Sequence, residues 1–140
     1  MSIEEENKAA ALRSIEEVWN KGNLSYADEC IDSDYVWHNP VIEVRSPDGF
    51  KEMVSTMRSA FPDLHTTVNN IVAEGDMVAI QVTMTGTMKG EFMGNAPTNK
   101  KMIVMGADFI RFSRGKEIEA WSYSDSLSMF QQLGIIPPSQ

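Results

Sequence analysis

Cysteine is nearly absent: Cys30 stands alone among 140 residues, so no internal disulfide can form. A lone thiol suits a reducing compartment. Its neighbours Asp28, Glu29, Asp32 and Asp34 would raise a thiol pKa, so Cys30 reads as a small buried hydrophobe rather than a nucleophile. Positive charge is also scarce. The net charge is −8 and the pI is near 4.7, and the basic residues are scattered. That excludes a nucleic-acid binder, which needs clustered Lys and Arg, and disfavours an anionic membrane surface. There is no long apolar run, and Met1-Ser2-Ile3-Glu4-Glu5-Glu6 is acidic where a secretory leader is basic. A cytoplasmic location is expected. Repeats, low-complexity tracts, phosphate loops and Ser-His-Asp patterns are missing. The two histidines, His38 and His65, lie far apart without clustered partners, so no metal site is expected.

What is present fits one domain over residues 1–140, with 42% hydrophobic residues to build a core. Ser2 and Glu5 form a capping box, and Leu12, Ile15 and Trp19 form the apolar stripe of a first helix that Lys21-Gly22-Asn23 ends. A short helix is expected over Tyr26 to Ile31, and a short strand over Asp34 to Pro40. Ser46-Pro47 reads as a cap followed by proline in the first turn. Phe50, Met53, Val54, Met57 and Phe61 then keep helical spacing until Pro62. From His65 onward the chain reads as antiparallel sheet. Its strands are expected over 65–72, from Val78, over 102–112 and over 117–125. Helices grouped before such a meander define an α+β architecture.

The last strand carries the chemistry. Alternation puts Glu119, Trp121, Tyr123 and Asp125 on one face, and Leu127, Phe130 and Leu133 then step into a closing helix. Gly134 and Pro137-Pro138 read as its stop. Asp125 at the junction is open to two roles: an acid in a partly dry pocket beside Trp121, or the helix N-cap. A tight hairpin over 113–116 pairs Phe112 with Glu117. This sets Trp121 opposite Asp108, Tyr123 opposite Gly106, and Asp125 opposite Val104. Asp108 then either shares Asp125's hollow or is a lone polar residue near the sheet edge. Roughly 13 Å of strand separates the two, so they are no carboxylate pair.

A set of short motifs resembles one family. They are His38-Asn39-Pro40, Phe61-Pro62-Asp63-Leu64, Gly86 to Gly94, Pro97-Thr98, Arg111-Phe112 with Gly115-Lys116, and Glu119-Ala120-Trp121 before Asp125. In order and spacing they resemble the SnoaL-like polyketide cyclases, some of them called ester cyclases, of the NTF2-like (cystatin-like) superfamily. The resemblance runs from about residue 8 to residue 136. It implies an α+β cone, with N-terminal helices packed on a strongly curved antiparallel β-sheet, and a homodimer. It also implies cofactor-free ring closure by intramolecular aldol chemistry on an apolar, carbonyl-containing polyketide ester. Asp125 matches the family's acid/base Asp. His38 matches its H-x-P element and either donates to an oxyanion or locks the Asn39-Pro40 turn. Phe61 and Phe92 are expected as pocket walls by motif position. Met88 departs from the pattern, since many relatives carry histidine there. Two other readings use the same scaffold: a ketosteroid-isomerase-like or epoxide-hydrolase-like enzyme, and a non-catalytic ligand-binding or dimerisation module. The hydrolase needs an Asp-Arg-Asp set, and alternation turns Arg111 away from Asp108.

Overall fold

The computed structural model describes residues 1–40 and 42–136. The expected Pro137-Pro138 stop lies outside the described residues. Helix α1 (Ile3–Ser14) starts as expected, with Ser2 accepting from the Glu5 amide at 3.1 Å. It does not run on as an α-helix. Residues Ile15–Asn20 form a π-helical turn, a 3-10 turn follows at Leu24–Tyr26, and α2 is Ala27–Cys30. Strands β1 (Ile31–His38) and β2 (Glu43–Arg45) precede α3 (Ser46–Ala60). Ser46 adopts a left-handed φ of 67° and its hydroxyl accepts from the Gly49 amide, so it works as a cap from inside the assigned helix. Strands β3 (His65–Glu74), β4 (Met77–Thr87), β5 (Lys101–Ser113) and β6 (Lys116–Ser124) follow, and α4 (Ser126–Leu133) closes the chain.

The six strands form one mixed open sheet in the order β2-β1-β6-β5-β4-β3. The meander is antiparallel as expected, but β1 joins it parallel to β6, because its chain returns through α3 and three strands before β6 is laid down. The helices cover one face, where α1 meets β3 and β4, α3 meets β1 and β2, and α4 meets β5. None of them is long and apolar enough to cross a membrane.

The hairpin begins as expected, with Phe112 opposite Glu117. The next pair is Arg111 with Glu119, so Ile118 is an extra residue on β6. Such a bulge exchanges the faces of everything beyond it. Trp121 therefore pairs with Phe109, Tyr123 with Ala107, and Ser122 takes the place opposite Asp108. The expected pairs Trp121–Asp108 and Tyr123–Gly106 are each displaced by one position, and Asp125, beyond the end of β6, has no strand partner at Val104 but donates its amide to the Met105 carbonyl.

Two apolar clusters fill the covered side. One joins Ile15, Val18, Tyr35, Phe50, Val54 and Ile80. The other joins Phe61, Leu64, Met88, Phe92, Val104 and Leu133. The Phe61-Pro62-Asp63-Leu64 loop is tied to β4 by Asp63, whose two oxygens accept from the Thr87 amide and hydroxyl, each at 2.7 Å. The Thr87 amide is the main cause that holds the Asp63 carboxyl below its ordinary pKa. Gly90 passes against the end of α3, where its amide bonds the Ala60 carbonyl at 3.0 Å. A Cβ there would lie 2.3 Å from the Ser59 carbonyl oxygen, which is backbone and cannot turn aside. Gly90→Ala is expected to cost about 1–3 kcal/mol in urea unfolding, and an unchanged midpoint would refute the close approach.

Candidate functional site

The concave side of the sheet and the helices enclose a cavity of about 420 Å³. That volume suits one small organic molecule. Its walls are aromatic and aliphatic, including Trp19, Tyr35, Trp37, Phe50 and Phe92. Trp19 is fixed by the π-helical turn, a form that often marks functional positions. Arg58 donates to the Trp19 and Asn20 carbonyls at 2.7 and 3.1 Å, satisfying groups that the helix end leaves free. The Asn20 side chain bonds both the amide and the carbonyl of Thr66, at 2.7 and 3.0 Å. Trp19 thus meets Trp37 edge-on at 5.9 Å and Phe50 at 6.0 Å.

Two carboxyl groups line this apolar space, Asp108 and Glu117. Among the described residues that line it, none is Lys, Arg or His. Burial raises the Asp108 pKa above its ordinary value, and a hydrogen bond from Ser122 partly offsets this. Ser122 is itself oriented, since its oxygen accepts from the Trp37 indole N–H at 2.7 Å. That leaves the hydroxyl proton free for Asp108. Glu117 is only 4% exposed. Burial pushes its carboxyl up to about 7, eased by a hydrogen bond with Ser14 and reinforced by the negative charge of Asp108. Tyr35 is raised well above the usual phenol value by burial, then by Glu117, Asp108 and Cys30. Cys30 is pushed up to about 11, first by burial and then by Glu117, which fits the inert buried thiol expected.

The residues expected at the site are divided between two faces. Asp108 and Phe92 line the cavity. Phe61 is fully buried one layer behind, edge-on to Phe92 at 5.2 Å. The extra residue at Ile118 carries Trp121 to the outer face, where it stacks on His38 at 5.5 Å. His38 points the same way: its Nε2 lies 2.7 Å from Glu119 and its Nδ1 3.5 Å from Glu43. Neither His38 nor Trp121 lines the cavity. Asp125, open to a pocket role or a cap role, is exposed, and its carboxylate caps α4 by accepting from the Ser128 amide at 3.1 Å. Arg111 also faces outward, bonding both oxygens of Asp76 at 3.0 Å, away from Asp108. Glu117, Tyr35, Ser14 and Ser122 were not anticipated at the site. Glu117 had a legible signal: the partner of an apolar strand residue such as Phe112 shares its buried face.

The fold and cavity together define an α+β protein of the NTF2-like type. The sequence pattern of the SnoaL-like polyketide cyclases matches residues 9–133, and the chain belongs to that family. AclR from Streptomyces galilaeus, a proposed hydroxylase, is 33% identical with a TM-score of 0.85, over 97% of this chain and 85% of that one. A proposed polyketide cyclase from Acidithiobacillus ferrooxidans is 31% identical with a TM-score of 0.84, over 96% and 99%. IdmH from Streptomyces antibioticus, another proposed polyketide cyclase, is 30% identical with a TM-score of 0.80, over 91% and 98%. No curated protein matches the chain.

The raised Glu117 pKa has a thermodynamic consequence. Its ordinary value is 4.5 and its folded value is about 7. Between these the folded chain holds a proton that the unfolded chain has released. Glu117 therefore lowers stability as pH climbs through that window, with no further loss above it. The change is on the order of 3 kcal/mol. Glu117→Gln should remove most of that slope, so the variant gains on wild type in urea unfolding at pH 8. Equal slopes for the two proteins would contradict the burial.

Proposed function

We propose that the chain is a cofactor-independent cyclase-type enzyme in which Asp108 acts as general acid/base on an apolar, carbonyl-containing substrate. The observation that carries this is Asp108 itself, an acid facing an apolar cavity with its pKa raised by burial. A desolvated carboxylate is a stronger base than one in water. The substrate carbon between a ketone and an ester gives its proton to Asp108, and the C–H electron pair becomes the enolate. The enolate carbon attacks a second carbonyl of the same molecule, forming the ring bond and leaving an alkoxide. Asp108 returns its proton to that oxygen. Atoms and charge balance without a cofactor. The Trp37–Ser122–Asp108 chain keeps the carboxyl oriented, and the aromatic walls favour one folded form of the substrate. Family membership and the polyketide-cyclase neighbours support the reaction class. This reading moves the acid/base role from Asp125, which is exposed and engaged as a cap.

The test compares two isosteric variants on a cyclisable β-keto ester. Asp108→Asn should lose roughly 10²–10⁴-fold in turnover. Asp125→Asn should keep activity and stability, because Asn caps as well as Asp. The opposite pattern would return the role to Asp125. Activity in neither variant nor wild type, with ligand still bound, would favour a non-catalytic binding module.

The outer sheet face supports a second proposal, a two-fold homodimer. Val72, Ile103, Met105, Phe109 and Tyr123 are all exposed there. Ile103, Met105 and Phe109 fall on alternate positions of β5, and Tyr123 pairs beside them on β6. A self-complementary contact of two copies is the commonest way to cover such a face. Phe109→Asp with Ile103→Lys should give a monomer by light scattering where wild type gives a dimer. A wild-type monomer at high concentration would exclude the contact.

A further inference from the structure

The reaction proposed above uses one of the two acids in the cavity. Glu117 remains, with Tyr35 beside it, and both belong to the end farthest from the opening. The lining residues Pro40, Ile42, Met93 and Ser124 are exposed and mark the mouth. Ala11, Ser14, Tyr35, Ile110, Glu117 and Ala120 are buried and mark the floor. Along β5 and β6 the pair Phe112–Glu117 lies four residues of β5 beyond the pair Asp108–Ser122. The two stations are therefore separated by roughly 13 Å of backbone. Tyr35 is 2% exposed and lines the cavity beside Glu117, whose charge acts on its phenol. A phenol that faces a cavity can donate to an acceptor placed there.

We propose that Glu117 and Tyr35 form a second polar station at the cavity floor that receives a carbonyl-type oxygen of the ligand, while Asp108 works on a carbon nearer the mouth. The ligand is thereby oriented: an apolar molecule that enters with a carbonyl oxygen on its leading end. The chemistry follows from the surroundings. Ser14 on α1 bonds Glu117, Cys30 of α2 and Tyr35 of β1 face it, and Asp108 faces it from β5. None of these groups is cationic. A carboxyl among such neighbours keeps its proton near neutral pH, and with the phenol it supplies two O–H donors. A ligand oxygen placed between them accepts both. The proposal rests on the cavity as the ligand site but not on turnover, so binding tests it apart from catalysis.

The experiment is calorimetric binding in an Asp108→Asn background, which removes the other cavity carboxylate. The probes are 1-acetonaphthone, its oxygen-free analogue 1-ethylnaphthalene, and 1-(1-naphthyl)ethylamine. At pH 6 the ketone should bind about tenfold tighter than the hydrocarbon. That preference should shrink as pH rises to 8.5 and Glu117 loses its proton. Adding Glu117→Gln keeps a donor, so the preference should persist and no longer change with pH. Adding Glu117→Leu leaves only the Tyr35 donor, so the preference should fall and no longer change with pH. Equal binding of ketone and hydrocarbon overturns the proposal, as does an undetectable ketone. A pH dependence that survives Glu117→Gln overturns it as well. Amine binding that strengthens with pH and exceeds the ketone would make the floor a cation site, which also overturns it.

Discussion

A single extra residue on β6 decides what the cavity contains. Ile118 has no partner of its own on β5, so Glu117 and Ala120 both look inward although three positions separate them. Regular alternation would send Glu119, Trp121 and Tyr123 into the cavity after Glu117. The bulge sends Ala120, Ser122 and Ser124 there and leaves Glu119 and Trp121 outside. Small residues on the floor strand open the space, and Ser122 supplies the hydroxyl that Asp108 needs. The same displacement builds the outer cluster of His38, Glu119 and Trp121.

Charge is sorted by the same geometry. Basic side chains lie outside or at the helix ends: Arg58 holds two carbonyls, Arg111 holds Asp76, and Lys51 holds Asp28. Among the described residues that line it, the cavity has two acids and no cation. A buried ion pair would anchor each carboxylate in its charged form and lower its pKa. Their absence from such pairs leaves Asp108 and Glu117 sensitive to what enters. The arrangement costs stability, and the two apolar clusters on either side offset it. Polar groups at functional sites commonly persist at such a cost.

Much of the architecture was legible in the sequence because it rests on local rules. The Ser2 cap, the periodic stripe of α3, the clean alternation of β4 and the tight turn after Ser113 each follow from neighbouring residues. The family resemblance carried the same fold, and the pattern match over residues 9–133 agrees. The π-helical turn was not legible, since Ile15–Asn20 has ordinary helical composition and its form depends on Thr66 and Arg58, far along the chain. The parallel seat of β1 depends on where α3 returns it. The site was legible only in part. Asp108 and Phe92 were named and line the cavity, whereas Trp121 and His38 were turned outward by one unpaired residue. No composition signal distinguishes Ile118 from its neighbours. Asp125 was open to two roles by its position before a helix, and its geometry is that of the cap.

The central claim is that Asp108 is an acid held in a partly dry cavity, poised to exchange a proton with a ligand. Its ¹³C carboxyl resonance, followed through a pH titration of the ligand-free protein, tests this most directly. The account predicts a midpoint clearly above the ordinary value of 3.8, and a return toward it in Phe50→Ala or Trp37→Ala, where water enters. A midpoint at or below the ordinary value would contradict the account.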